Sequence, residues 1–185
     1  VYDWNEDGLL DILMNDVRGI HTVYLNLGTK TRPRLASGKP MYLEDLDMHG
    51  SWRTRPAIDT LDSHKVYITL NDEDQFHLYY QVDAFNLKEG RKLLLEDGSP
   101  IHANFLSAGG RGRTKFESVD WDQDGDFDLI VGTPRHGTVP VADQSGLPWS
   151  RNKAGATVLL LENKGSNQKP AFAYPKMLHH RGQPV

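Results

Sequence analysis

The 185-residue sequence predicts an all-β protein built from about three similar units. Two acidic stretches, residues 3–11 and 120–128, follow one pattern, and a short apolar run comes directly after each. Comparable starting points at Asp3, Asp59 and Asp120 recur at steps of roughly 60 residues. Hydrophobic residues make up only 38% of the chain, beside 17 glycines and 10 prolines, a composition more typical of strands and turns than of a helical bundle.

The acidic stretches have the spacing of a cation-binding loop. Oxygen-bearing side chains stand at positions 1, 3, 5 and 9, and glycine at position 6 allows a turn that a Cβ would obstruct. Position 7 would offer its backbone carbonyl, which leaves its side chain free to vary. The spacing predicts two structural Ca²⁺ sites. Their ligands would be Asp3, Asn5, Asp7, Leu9 (carbonyl) and Asp11, and Asp120, Asp122, Asp124, Asp126 (carbonyl) and Asp128.

These loops differ from an EF-hand, which closes with a glutamate at position 12 and lies between helices. Here position 12 is Met14 or Val131, and both flanks have the pattern of strands. The alternative is an Asp/Asn/Gly turn that binds nothing. Two copies with the same tryptophan at position 2 and the same apolar run afterwards favour the metal site.

The repeat extends beyond the loops. Asn26, Gly28 and Pro33 follow the first loop, and the second loop is followed by the same residue types at 163, 165 and 170. Each unit is therefore expected to contain a loop, a strand, a second strand ending in Asn-x-Gly and an outer strand.

We divide the chain into three predicted units. Residues 1–50 form a unit with a calcium loop but without its first strand, and 51–110 form a degenerate unit. Residues 111–185 form a unit with a calcium loop and an insertion at 138–156. The degenerate unit lacks the loop glycine and the spaced aspartates, so we expect no metal there. Its strands are predicted at His64–Leu70 and Phe76–Gln81.

Repeats of this length, with about four short strands each, are typical of β-propeller blades. The alternative is a β-sandwich with regularly spaced turns. Three blades do not close a ring, so we expect a fragment of a larger propeller whose neighbouring blades lie elsewhere in the parent chain. The chain also begins and ends as if truncated, so a signal peptide cannot be judged.

Residues 120–132, followed by a strand ending at residues 161–165, resemble the FG-GAP/VCBS-type calcium-binding repeat. The integrin α-subunit head and many secreted bacterial proteins share this repeat. The resemblance implies a propeller of about seven blades, with calcium held between the first two strands of a blade. Proteins with this repeat include adhesion heads, polysaccharide lyases and sugar-binding modules, so the fold alone does not decide the function.

Charge and composition exclude several classes of function. The formal charge of −4 would be neutralised by two divalent ions, which argues against a nucleic-acid partner. The chain has no cysteine, and no apolar run reaches the roughly 18 residues of a membrane span. Calcium loops of extracellular modules fill at millimolar calcium, which favours a secreted, periplasmic or cell-surface protein.

The predicted ligand is an extracellular glycan, an acidic polysaccharide in particular, because arginine forks match carboxylates. The expected binding residues are Arg111, Arg113, Lys115, Arg135, His136 and Trp149. The alternative is a solvated, arginine-rich turn.

Whether the protein is an enzyme stays open. A polysaccharide lyase or hydrolase is the leading alternative, and a protein-binding adhesion module is the next. A lyase needs a Tyr or His base and a cation beside the substrate carboxylate. His77, Tyr79 and Tyr80 supply the base types, but no spacing distinguishes them, and Tyr79 is expected to be a core residue on a strand.

Overall fold

The computed structural model describes residues 1–106, 114–133, 137–141, 149–153 and 156–185. All regular elements in these ranges are strands, which confirms the all-β prediction. The strands are β1 (Ile12–Asn15), β2 (His21–Tyr24), β3 (Lys39–Pro40), β4 (Tyr42–Leu43), β5 (Leu46–Asp47), β6 (Ala57–Leu61), β7 (His64–Leu70), β8 (Phe76–Gln81), β9 (Asn86–Lys92), β10 (Lys115–Val119), β11 (Asp128–Thr133), β12 (Gly137–Val141), β13 (Trp149–Lys153), β14 (Thr157–Leu161), β15 (Lys176–Met177), β16 (His179–His180) and β17 (Gln183–Pro184).

Three sheets make up most of the fold. We number them first, middle and third by their order along the chain. The first sheet has the strand order β1-β2-β3 and the third has the order β10-β11-β14-β15, and all strand pairs in these two sheets are antiparallel. Each acidic loop lies directly before the strand predicted to follow it, β1 or β11. Tyr2 forms an antiparallel bridge with Asp11, and Val119 pairs with Asp128 at the matching place in the third sheet. The two loops therefore join equivalent strands.

The middle sheet has six strands in the order β5-β4-β9-β8-β7-β6. Strands β6 to β9 form an antiparallel meander, and β4 adds to its edge parallel to β9. The strands predicted at His64–Leu70 and Phe76–Gln81 are confirmed. Because β4 and β5 belong to the part of the chain before residue 50, the first two units share this sheet.

Both faces of the middle sheet are buried. Side chains alternate between the two faces of a strand, so neighbouring residues of β7 pack against different sheets. Tyr67 of β7 faces the first sheet and lies edge-on to Trp4, with ring centroids 6.0 Å apart. Its neighbour Ile68 belongs to the cluster shared with the third sheet. Phe76 and Phe116 meet in that second cluster at 4.8 Å. The three sheets are therefore stacked, each burying an apolar face against the next.

Polar contacts also join the middle and third sheets along their first strands. Arg55 forms a parallel bridge with Lys115, and the Ser118 hydroxyl donates a 2.5 Å hydrogen bond to Asp59. Within the described ranges no sheet closes on itself. Strands β12 and β13 form a hairpin inserted between β11 and β14, in the region of the predicted insertion. Strands β16 and β17 form a terminal hairpin.

Candidate functional site

The first acidic loop turns its side chains back onto its own backbone. The Gly8 amide donates to Asp3 Oδ2 at 3.0 Å, and the Leu9 amide donates to Asp7 Oδ1 at 2.8 Å. Glu6 and Gly8 have φ angles of 63° and 83°. The left-handed turn at position 6 is the conformation for which the sequence predicts glycine.

The second loop repeats this geometry. Gly125 donates to Asp120 Oδ2 at 3.1 Å, and Asp126 donates to Asp124 Oδ1 at 2.9 Å. Gln123 and Gly125 have φ angles of 63° and 93°. Two stretches 117 residues apart in numbering, from Asp11 to Asp128, thus reach the same left-handed turn with two equivalent hydrogen bonds. In the first loop the Asn5 amide also donates to Asp7 Oδ2 at 2.9 Å.

The side chains that point into the loops have the chemistry of hard-cation ligands. Asp120, Asp122 and Asp124 each bring one carboxylate oxygen within 4.8 Å of the others. In the first loop, Asp3 Oδ1 is buried and has no hydrogen-bond partner. A buried carboxylate oxygen without a donor is costly, and oxygen is the ligand that Ca²⁺ takes. The residues of both loops therefore fit a Ca²⁺ ion.

The aspartate at position 9 has a role that the spacing did not reveal. Asp11 is fully buried, and each of its oxygens accepts a backbone hydrogen bond. Trp4 donates to Oδ2 at 3.0 Å, and Asn26 donates to Oδ1 at 2.8 Å. The carboxylate thereby ties the start of the loop to the end of the second strand.

Asp128 holds the second loop in the same way, with donors at Trp121 (2.9 Å) and Asn163 (2.7 Å). Burial raises the pKa of this carboxyl above its usual range. The two backbone donors lower it, and the nearby Asp122 and Asp124 raise it further. The raised pKa of Asp128 thus reflects mainly its burial, and the neighbouring carboxylates add a smaller contribution of the kind that a bound cation would offset.

The Asn-x-Gly motif forms the turn after the second strand. Asn163 Oδ1 accepts hydrogen bonds from Gly165 and Ala171, both at 3.0 Å. A Cβ on Gly165 would lie 2.1 Å from the Lys169 carbonyl oxygen, so only glycine fits there. Asn26 makes the same two bonds in the first unit.

Lys65 is an unanticipated neighbour of the first loop. Its ammonium donates to the carbonyls of Asp3 and Trp4, both at 2.9 Å, and its side chain is only 6% exposed. Gln81 also donates to the Trp4 carbonyl, at 2.8 Å, while the Trp4 indole donates to the Ala84 carbonyl at 2.8 Å. The middle sheet therefore holds the first loop through Trp4 and the two carbonyls.

Asn167 bonds to positions 6, 7 and 8 of the second loop. Its backbone amide donates to Asp126 Oδ1 at 2.7 Å, and its Nδ2 donates to the Gly125 carbonyl at 3.1 Å. The Phe127 amide donates to Asn167 Oδ1 at 2.9 Å. The side chain at position 7 is therefore used in the second loop, whereas Leu9 of the first loop has no carboxylate. Only this Asp/Leu difference could have indicated the contact from sequence.

Most of the predicted ligand-binding residues fall outside the described part of the chain, and these are Arg111, Arg113, Arg135 and His136. The backbone of Trp149 lies in β13. Lys115 begins β10, and its ammonium donates to the Arg53 carbonyl at 3.2 Å. Burial lowers the pKa of Lys115, and the charge of Arg55 lowers it further. Lys115 is thus part of the junction between the middle and third sheets.

Two of the three residues considered as the base of a lyase are buried within the protein. His77 and Tyr79 are buried on β8, with rings stacked at 4.5 Å, and burial raises the pKa of Tyr79 above its usual range. The His77 Nε2 atom pairs with Glu89 at 2.5 Å. Tyr79 is a core residue, as predicted. Tyr80 is only half-buried and faces the third sheet.

Comparison with known proteins finds no match to the chain among family models, curated proteins or solved structures. The part of the chain that the structure describes contains no helix that is long and apolar enough to cross a membrane.

Proposed function

We propose that the chain is a calcium-stabilised β-propeller module of the FG-GAP/VCBS type that binds carbohydrate outside the cytosol. The observation that carries the calcium part is the shared geometry of the two acidic loops. Two internal hydrogen bonds agree in pattern and length between the loops, and in the second loop three carboxylate oxygens converge. Each loop connects two neighbouring antiparallel segments of a sheet. A Ca²⁺ ion bound by the loop side chains would hold the strand after the loop to the segment before it.

The stacking of the sheets supports the propeller part of the proposal. The third sheet and the β6–β9 meander are both antiparallel arrangements of four strands, as in propeller blades. Each of these arrangements packs one apolar face against a neighbouring sheet. The outer faces of the first and third sheets would then be covered by further blades of a longer chain.

The setting follows from the proposed affinity. Loops that end without a bidentate glutamate are proposed to belong with the extracellular modules, which fill at ~10⁻⁴–10⁻³ M calcium, a concentration typical of the space outside the cytosol. We therefore propose a secreted, periplasmic or cell-surface location. Acidic polysaccharide is the proposed ligand, and neighbouring blades are the proposed internal partners.

Thermal melts in calcium and in chelator test the calcium sites. If the second loop binds with Kd of about 10⁻⁴ M, 1 mM calcium stabilises the fold by about 1.4 kcal/mol. Asp124→Ala removes a proposed ligand, so it should lower the Tm in calcium and leave it unaltered in chelator.

The matched control is Asp72→Ala, which removes an exposed aspartate from the turn between β7 and β8. It should leave the response to calcium unchanged. Equal losses of Tm for Asp124→Ala in calcium and in chelator would refute the assignment of the second loop as a calcium site.

A further inference from the structure

A cleft of about 510 Å³ lies between the middle sheet and the third sheet. Its walls come from the β6–β7 turn, from β8 and β9, and from the turn at residues 166–169. Its volume falls within the range of pockets that take small ligands, roughly 300–1,000 Å³. The described side chains at this cleft differ from the basic residues that the sequence indicated.

Tyr80 provides an aromatic surface flanked by two cations. The Lys88 ammonium lies 5.7 Å from the centre of the Tyr80 ring, and Arg91 Nη2 lies 3.4 Å from the Tyr80 hydroxyl. His64 approaches the same ring edge-on, with centroids 6.2 Å apart. The cations lie beside this ring because Lys88 pairs directly across from Tyr80 in the β8–β9 ladder.

The cleft carries charges of both signs, and its two cations lie together at Tyr80. Asp62 lines the opposite wall, where its carbonyl contacts His64 Nδ1 at 2.9 Å. Glu89 also borders the cleft, and its carboxylate lies 2.5 Å from His77 Nε2. Burial lowers the pKa of His77 and so favours the neutral ring, which does not cancel the charge of Glu89. Lys88 and Arg91 therefore make the Tyr80 side of the cleft cationic, while Asp62 and Glu89 contribute two carboxylates to its lining. An anionic ligand with hydrogen-bonding groups fits this arrangement.

We infer that this cleft binds an acidic saccharide, with a sugar ring against Tyr80 and its carboxylate at Lys88 and Arg91. The aromatic face packs against the C–H face of a pyranose, while the amides of Asn167 and Gln168 line the wall where sugar hydroxyls would lie. This inference rests on the proposed carbohydrate function and gives it a site.

The second acidic loop forms part of the support for this site. Asn167 lies in the cleft wall and also bonds to Asp126, Gly125 and Phe127 of the loop. The carbonyl of the adjacent Gln168 accepts a hydrogen bond from Arg91. Ordering of the loop by calcium therefore fixes the wall, so saccharide affinity depends on the second calcium site.

Calorimetric titration of the full chain with trigalacturonate tests the site, with maltotriose as the neutral comparison, both in calcium. Wild type should bind the acidic trisaccharide at least tenfold more tightly. Lys88→Met and Tyr80→Leu should each weaken this binding tenfold or more, whereas Tyr80→Phe keeps the ring and most of the affinity. Lys30→Met is the matched control, because Lys30 is exposed on the turn of the first unit that corresponds to the cleft wall.

Asp124→Ala tests the link to the loop, because it removes a proposed calcium ligand and leaves every residue of the cleft wall in place. It should weaken trigalacturonate binding severalfold. A melt of each variant in calcium shows whether the fold persists, and binding is compared only among variants that melt cooperatively.

Three outcomes would overturn the inference in distinguishable ways. Binding that the Lys88 and Tyr80 variants leave unchanged places the saccharide elsewhere and leaves the carbohydrate function standing. Equal binding of maltotriose removes the preference for an acidic sugar. Absence of binding to either sugar by wild type counts against both the cleft and the carbohydrate function, while the Asp124→Ala melts judge the calcium sites independently.

Discussion

The two acidic loops have the same internal geometry in different surroundings. Trp4 of the first loop is fully buried against the middle sheet, whereas Trp121, at the same position of the second loop, is 48% exposed. The hydrogen bonds of Asp11 and Asp128 nevertheless agree within 0.1 Å. The conformation of the loop is therefore encoded by its own nine residues and the Asn-x-Gly turn. Burial of the tryptophan depends on a neighbouring sheet.

The loops also differ in charge. The first has Asn5 and Leu9 where the second has Asp122 and Asp126. Lys65 adds a positive charge beside the first loop and lies 3.3 Å from Glu6. The second loop therefore concentrates more negative charge, and calcium affinity rises with the number of charged ligands. We expect the two sites to be unequal.

The largest expected effect on stability comes from the buried aspartate that both loops have at position 9. Asp11→Ala would leave two buried amides without an acceptor, at about 1–3 kcal/mol per amide, and should lose about 2–6 kcal/mol of unfolding free energy in chelator as well as in calcium. Asp128→Ala would leave one buried and one partly buried amide and should lose less. Urea denaturation measures this loss. Asp7→Ala, an exposed loop residue, is the control and should change stability by less than about 0.5 kcal/mol in chelator.

The second prediction concerns the tryptophans. Trp4→Ala would open a cavity between the first and middle sheets and should cost about 3–5 kcal/mol. Trp121→Ala removes a half-exposed side chain and should change the unfolding free energy by less than about 1 kcal/mol. Urea melts of both variants at one protein concentration make the comparison. Similar costs at the two positions would show that Trp121 is covered in solution.

The third prediction is a pH dependence that belongs to the first sheet. Burial lowers the pKa of His21 to about 3, the charge of His49 lowers it further, and Asp16 opposes both. The neutral ring bonds to Asn15 Nδ2 at 2.8 Å and to the Tyr67 hydroxyl at 2.7 Å. The unfolded state takes up a proton below about pH 6.5 and the folded state does not, so stability falls as the pH drops from 6.5 towards 3.

At pH 5 this loss amounts to about 2 kcal/mol relative to pH 7. His21→Gln keeps a polar side chain but cannot titrate, so its unfolding free energy should vary less over that interval by a similar amount. His180→Gln, an exposed histidine in β16, is the control and should follow wild type. A His21→Gln variant with the pH profile of wild type would contradict the assignment.

The sequence predicted the local elements better than their contacts. Alternation and turn residues place β7 and β8 correctly, and the repeated Asn-x-Gly motif identifies turns with the same hydrogen bonds. Spacing could not show that Lys65 reaches the first loop, because β7 lies about 60 residues away in the chain. The Tyr80 cleft was missed for the same reason: its walls come from separate sheets, and only their packing brings the walls together.

The smallest expected effect is on calcium affinity, when the residues at position 3 of the two loops are exchanged. Asn5→Asp adds a carboxylate to the first loop and should tighten its calcium Kd about tenfold, equivalent to ~1.4 kcal/mol. Asp122→Asn should weaken the second loop by a similar factor. Each Kd is measured calorimetrically with the other loop silenced, by Asp124→Ala for the first and by Asp7→Ala for the second.

The buried ammonium of Lys65 remains beside the first loop in the Asn5→Asp variant, so this loop should still bind more weakly than the wild-type second loop. If Asn5→Asp instead equalises the two affinities, side-chain charge alone accounts for the difference, and Lys65 acts only as a structural link between sheets. If it leaves the first Kd unchanged, position 3 is not a ligand, and the convergence of Asp120, Asp122 and Asp124 would need another explanation.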